Sequence, residues 1–512
     1  MTARAEPAQP TAVAAFAAAA LSVTFIVVSR PFLDTLVYDF DEAWLILDAR
    51  FILRGLRPYV DFAHHEMPLH LYLLALSGKV FGQTLVGYRM LSVSSLATSG
   101  FLLFCLARPA VGSLPALVTE ALFLFSPAQM RALEAVPETP ALTFTLLAAV
   151  CLFGGRGRWS AYASGVAFVA ALFVKPTCLV MVIAAALSLV YARAWRRLWD
   201  LALSGLVTAT AGLAWTIFVS DGVFAELLRF QVERIGTRKV GMWSIDSGFS
   251  DMRRLTGIGT PWQLAVSSFK SFSEWPGTYG PASLFVASLL SLPIWIGRCA
   301  RSHRALLAFA VLWPASYLVL NFVALDFVTP RYYVPFLAFS AFLIAGLVSL
   351  AQRHVPPLAA ATAGLALCVV LVRQLTAALG DDRDPWYYGR AGWITHEYPS
   401  VVSFTPMLFA ATGAEPGCGF ANPALTYGGF GETWLLTERT RKFRWSDDRL
   451  IKCLRANRDT PIVIDWAFYF FTRPGSALRE YLAGEGNDRR LFFSPQALAQ
   501  WDRPLLSMSP FR

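Results

Sequence analysis

Charge is what this sequence has least of. Only 15% of its 512 residues are Asp, Glu, Lys or Arg, where an ordinary soluble protein carries roughly 25%. With 56% hydrophobic residues and a mean hydropathy of +0.50, much of the chain must lie in lipid, which excludes a disordered chain, a collagen and a compact cytosolic enzyme. There is no GxxxxGK[ST] loop and no GxGxxG between a strand and a helix, and Gly428-Gly429-Phe430-Gly431 is an isolated turn, so no nucleotide domain is encoded. The seven cysteines contain no CxxC pair, and no histidine stands at helical i, i+4 spacing with a carboxylate in a recognised zinc pattern.

What is present is a series of apolar runs about 20 residues long between residues 11 and 375, the signature of a membrane bundle. The first run has neither a basic leader of any length nor a clear cleavage site, so it reads as a transmembrane helix and not a signal peptide. Eleven spans are expected, near 11–30, 85–107, 111–128, 139–155, 159–174, 176–192, 201–220, 281–297, 305–324, 332–350 and 357–376. Arg4, Arg108, Arg156, Arg158, Arg193, Arg196, Arg197, Arg298, Arg301, Arg304 and Arg353 fall in alternate short connections, which assigns that side to the cytoplasm. The formal charge of +10 therefore fixes orientation and does not point to nucleic acid. An odd number of spans starting inside places segments 31–84, 129–138, 221–280 and 325–331 outside, with the polar tail.

The fold class expected is an α-helical polytopic membrane protein of about eleven transmembrane helices, residues 1–378, with a small extracytoplasmic α/β domain over 379–512. Two helices in the first outer loop should lie along the membrane surface. In DEAWLILDARFILRGLR, residues 41–57, helical periodicity puts Asp41 and Asp48 on one face and Arg50, Arg54 and Arg57 on the other. The stretch 68–82 is too short to cross a hydrocarbon layer of about 30 Å. In the tail, Ser446 can cap a helix, and PIVIDW reads as a buried strand. Cys418 and Cys453 can pair if the tail is extracytoplasmic; the other five cysteines lie in or beside apolar runs or in a short basic loop.

Several residues on the outer side could carry chemistry. Asp41 and Glu42 follow the first span and can bind a hydroxyl, a cation or a proton; equally, they suit a helix N-terminus, where negative charge is stabilised. His64, His65 and Glu66 form the turn between the surface helices, as a polar interfacial cluster or part of a site. Glu138 opens a span, which helix capping alone explains. Lys175 and Arg331 stand beside prolines at outer ends of spans, where snorkelling is the ordinary account. Their placement on one side weakens these plain readings, because carboxylates and cations together suit a reaction with a phosphate leaving group. Glu120 lies in mid-span and needs a partner or a wet cavity.

FDEAWLILDARFILRGLRPYVDF, HHEMPLHLYLLALSGKVFG followed by YRMLSV, SPAQMRALEAVPETPALTFTLLA, the KPT of LFVKPTCLV, and TPRYYVPFLAF occur in that order between residues 38 and 350. In this the chain resembles the GT-C superfamily of multi-spanning glycosyltransferases, in its protein-mannosyltransferase and aminoarabinose-transferase-like branch. The resemblance implies an inverting transferase that moves a sugar from a polyprenyl-phosphate donor to a lipid, glycan or protein acceptor at the outer membrane face. Asp41 would be the general base, Glu42 would orient it or the acceptor, and Lys175 and Arg331 would meet the leaving phosphate. His64, His65, Glu66, Glu138 and Tyr332 complete the implied binding set. Where many relatives have a Lys-Pro-Pro turn, this chain has Glu66-Met67-Pro68, which leaves His64 or His65 to supply the missing group. No metal or other cofactor is expected, although a divalent cation stays open because some members use one. Segment 221–280, with RFQVERIGTRKV, is expected as a lid or, equally, a solvated amphipathic helix. A secondary transporter and a non-catalytic membrane scaffold are the rival readings; neither internal repeats nor broken helices near the bilayer midplane favour the former. The Ala- and Arg-rich composition suits a bacterial inner membrane, with a cytoplasmic N-terminus and the tail outside.

Overall fold

In a computed structural model, the structure describes residues 11–34, 40–64, 66–126, 129, 132–155, 157–236, 287–293, 295, 304–319, 334–352, 354–379, 391–421, 427, 442–465, 467–468, 472, 475–484 and 491–494. His65, Arg331 and Tyr332 lie outside them, as do residues 237–280 of the expected lid. The chain divides into two compact units.

The first unit comprises residues 1–34, 89–213 and 260–381. Its helices are α1 (Thr11–Ser29), most of α4 (Leu85–Val111), α5 (Ser113–Leu124), α6 (Glu138–Ala149), α7 (Arg158–Val174), α8 (Leu179–Tyr191), most of α9 (Trp195–Val219), α11 (Arg304–Val319), α12 (Val334–Ala351) and α13 (Pro357–Leu379). Among the described residues, four helical stretches are long and apolar enough to cross a membrane: Ala12–Phe32, Leu85–Val111, Trp195–Val219 and Val334–Ala351. Others are shorter apolar helices, and α5, at 12 residues, extends about 18 Å by helical rise.

Close helix approach in this unit depends on small residues, as membrane packing requires. Added Cβ atoms at Gly100, Gly165 and Gly346 would stand 2.7, 2.0 and 2.5 Å from Leu124, Ser204 and Trp295. Hydroxyls stitch α4 to α6. Thr143 donates to the Ser95 carbonyl at 2.8 Å, and Thr139 to the Ser92 hydroxyl at 3.0 Å. Glu120, fully buried, accepts from the Ser22 hydroxyl of α1 at 2.9 Å, so this mid-span acid has a partner that joins α5 to α1.

The second unit comprises residues 35–88, 214–259 and 382–512. It contains α2 (Phe40–Leu53), α3 (Leu69–Phe81) and α10 (Val223–Gly236), then from the tail α14 (Ala391–Glu397), β1 (Ser400–Ser403), α15 (Met407–Thr412), β2 (Glu415–Pro416), α16 (Asp447–Ala456), β3 (Ile462–Ile464), α17 (Ala477–Ala483) and β4 (Leu491–Phe493). The four strands form a parallel sheet in the order β2-β1-β3-β4, with Val402 opposite Ile462 and Ile462 opposite Leu491. Parallel sheets are covered on both faces, and strand alternation sorts the side chains accordingly. Val402, Ile462 and Ile464 pack with Leu450 and Leu454 of α16 and Leu478 of α17. Val401 and Val463 pack on the opposite face with Leu408, Phe409, Ile394 and Leu47. Ser446 caps α16 by accepting the Arg449 amide, and Asp447 and Asp448 in the first turn complement the helix dipole.

Leu47 comes from α2, so the first-loop helix supplies part of the tail's core. The basic face of α2 holds the tail as well. Arg50 donates to the carbonyls of Phe409 at 2.5 Å and Ala410 at 3.2 Å, in the last turn of α15, where orphan carbonyls and the negative helix end favour a cation. Arg54 forms a two-pronged ion pair with Glu415 of β2. Cys418 and Cys453 form a disulfide, with their Cα atoms 6.1 Å apart and a sequence separation of 35.

Candidate active site

The acidic face of α2 carries the second unit's candidate chemistry. Asp41 occupies the first helical turn, half-buried, and accepts the Trp44 indole N–H at 3.3 Å. Glu42 beside it is fully buried. Two turns after Asp41, the carboxylate of Asp48 stands 3.1 Å from Nδ1 of His64, both side chains being 2% exposed or less. Burial, reinforced by the Glu66 carboxylate, holds the Asp48 acid well above the ordinary carboxylate range.

His64 is brought back to α2 by a tight turn. Tyr59 adopts φ of +70°, unusual for a residue with a side chain, and its amide bonds to the Phe62 carbonyl at 3.0 Å. Its hydroxyl donates to the Glu66 carbonyl, its ring lies 5.3 Å from Phe224, and burial raises its pKa. The rings of Trp44 and Tyr59 each lie 5.5 Å from His64. Asp41, Trp44, His64 and Asp48 thus form a continuous chain of contacts along one side of α2.

In the first unit, Lys175 and Glu138 form an ion pair at 2.5 Å, 12% and 2% exposed. Lys175 ends α7 in extended backbone just before Pro176, while Glu138 opens α6. The candidate residues therefore fall into two groups: Asp41, Glu42, His64 and Glu66 in one unit, Glu138 and Lys175 in the other. Among the described residues, no three or more His, Cys, Asp or Glu side chains gather as a metal-binding group.

Asp48 and Tyr59 do not figure in the set implied by the sequence. The seven-residue spacing of Asp41 and Asp48 was a usable signal, since it puts both acids on one helix face. The partnership with His64 had no local signal, because it depends on the left-handed Tyr59 that reverses the chain.

Residues 64–220 match the dolichyl-phosphate-mannose-protein mannosyltransferase family. Two structures of the Archaeoglobus fulgidus oligosaccharyltransferase are similar in fold. The apo form has a TM-score of 0.51 at 11% identity, over 81% of this chain and 65% of that one. The complex with zinc and sulfate has a TM-score of 0.50 at 11% identity, over 80% and 62%. ArnT from Cupriavidus metallidurans, bound to undecaprenyl phosphate, has a TM-score of 0.46 at 17% identity, over 73% and 68%. The chain thus spans under two thirds of the length of the oligosaccharyltransferase it resembles. No curated protein matches the sequence. The fold is similar to that of the Archaeoglobus fulgidus oligosaccharyltransferase.

Proposed function

We propose that this protein is an inverting GT-C glycosyltransferase, transferring a sugar from a polyprenyl-phosphate donor to a lipid, glycan or protein acceptor at the outer face of a bacterial inner membrane. The observation that carries the reading is Asp41, a partly accessible acid at the start of α2, oriented by the Trp44 indole in a chain whose 64–220 segment matches a family named for a dolichyl-phosphate donor. The first turn favours a charged carboxylate, the form that can accept a hydroxyl proton.

Asp41 takes the proton of the acceptor hydroxyl as that oxygen attacks the anomeric carbon, and the bond to the phosphate oxygen breaks on the opposite face, inverting the centre. Buried beside it, Glu42 orients the acid or the acceptor. The charge developing on the leaving phosphate is assigned to Lys175 and Arg331, with Glu138 holding the Lys175 ammonium until the phosphate competes for it. The prenyl chain lies among the apolar helices of the eleven-crossing arrangement, and the donor brings its own leaving group, so no nucleotide fold is required. The Cys418–Cys453 disulfide supports an oxidising, extracytoplasmic compartment for the tail. No metal is assigned a role.

Asp41→Asn in protein reconstituted into liposomes, with sugar release from a polyprenyl-phosphate donor followed, is expected to reduce turnover by about 10²–10⁴-fold. Full turnover by the variant discards Asp41 as the base. Solute uptake by the wild type, with no use of lipid-linked sugar, makes the protein a transporter.

A further inference from the structure

The second unit holds a cavity of about 560 Å³ that the reaction as proposed does not use. The first outer loop contributes Phe51 and Phe62 to its wall, and the tail contributes Phe443 and Trp445. Charges of both signs line it as well, Asp61 and Asp48 from the loop and Lys442 and Arg449 from the tail. Its volume lies within the range of small-molecule sites, enough for roughly two or three sugar rings.

The walls are tied together. The Arg449 guanidinium lies over the Trp445 ring at 4.2 Å and donates to the carbonyls of Lys442 and Arg444 at 2.9 and 2.7 Å. Lys442 crosses to the loop and donates to the Val60 carbonyl at 2.5 Å. Cys418, also in the lining, is covalently held to α16 through Cys453. A ligand would meet a preformed surface and lose little affinity to ordering it.

The chemistry of the lining discriminates among ligands. An acyl chain would desolvate two acids and two cations while offering none of them a hydrogen bond. An anionic ligand would meet the Asp61 carboxylate as well as the cations. A saccharide suits the mixture, since aromatic rings cover the C–H faces of a sugar ring while carboxylates and cationic groups bond its hydroxyls.

Position connects the cavity to the proposed base. Asp48 follows Asp41 by two helical turns on the same face, about 10 Å along the axis. Trp44 and His64 fill the interval by the contacts described above. We infer that this cavity is an acceptor subsite that binds saccharide units roughly two residues from the hydroxyl presented to Asp41, so that the acceptor is an oligosaccharide or a glycoconjugate. The inference rests on the proposed transferase reading and specifies its acceptor.

Saturation-transfer NMR on the full chain in nanodiscs, with mannotriose, chitotriose and arabinotriose in turn, tests it. At least one trisaccharide is expected to receive saturation on its ring protons. Ala421→Trp, which fills the cavity, and Phe443→Ala, which removes an aromatic wall, are each expected to weaken that binding about tenfold while the disulfide and helix content persist. Failure of all three sugars to saturate overturns the subsite. So does affinity unchanged in both variants, or displacement of the bound trisaccharide by dodecanoate. Asp41→Asn separates the two claims: binding retained with transfer lost supports both, and binding retained with transfer also retained removes the base while leaving the subsite. Binding absent from a protein that still transfers sugar removes the subsite alone.

Discussion

The two compact units solve the same packing problem with different means. The first brings helices together through glycines and hydroxyls and gives two of its buried acids side-chain partners, Glu120 with Ser22 and Glu138 with Lys175. The second uses the devices of a water-soluble protein: a parallel sheet covered on both faces, a disulfide, a capped helix and exposed ion pairs. In lipid the burial of apolar surface gives helices little reason to associate, so close contact and hydrogen bonding must hold them. In the second unit apolar burial supplies the main drive, and polar groups set register. Substitutions of similar chemistry should therefore have unequal costs in the two units.

The largest effect is expected at the buried pair of the first unit. Lys175→Met leaves the Glu138 carboxylate without its cation and should cost about 3–5 kcal/mol, with much of the loss recovered in the Lys175→Met, Glu138→Gln double variant. Thermal unfolding of the four proteins of this cycle gives the coupling, and an additive result would put the pair on the same footing as a surface contact. In the second unit, replacing Cys418 and Cys453 by serine opens a 35-residue loop and should cost about 2–4 kcal/mol. Hydrogen exchange should localise the loss to residues 391–494, leaving α4 to α8 unchanged; equal loosening of both units would erase the distinction between them.

A pH effect should separate the units as well. The folded-state pKa of Asp48 is raised by burial and by Glu66, so the folded form prefers the protonated acid. Its contribution is fully present below the unfolded-state value, about 3.9, and is lost as pH rises through the folded value. Asp48→Asn should flatten that decline in the second unit's stability, as followed by denaturant melts at several pH values; an unchanged slope would remove Asp48 as its source. Arg54→Ala should be the mildest of these changes. Its ion pair with Glu415 is 43% and 46% exposed, and solvent screening limits such pairs to about 0–1 kcal/mol, within reach of a careful melt.

The apolar runs made a helical membrane protein legible, because hydrocarbon of fixed thickness leaves a long one-dimensional signature. The Ser446 cap and the strand in PIVIDW were legible for the same reason, being local. Glu120 could be read as an acid in need of a partner, but Ser22, 98 residues away, could not be named. The tail gave no sign of its attachment to the first loop. Arg50 reaches the Phe409 carbonyl across 359 residues, and the bond uses a backbone acceptor that any sequence supplies. Even so, the helical wheel had already segregated Arg50 and Arg54 from Asp41 and Asp48, and the structure assigns the basic side to the tail and the acidic side to Trp44 and His64. Asp41, Glu42, His64, Glu66, Glu138 and Lys175 were chosen by residue type and topology, which identify candidates without identifying the neighbours that orient them.

The position of Leu47 has a consequence for biosynthesis. It lies on the helix that begins with Asp41, yet Val401 and Val463, which share its core, are translated hundreds of residues later. Long-range contacts of this kind form slowly, because the intervening chain must first be made and closed. A ribosome that has completed every hydrophobic segment has still not supplied the platform for the helix bearing the acid. Until Val401 and Val463 emerge, the nascent protein should be inserted with α2 still lacking its core partners.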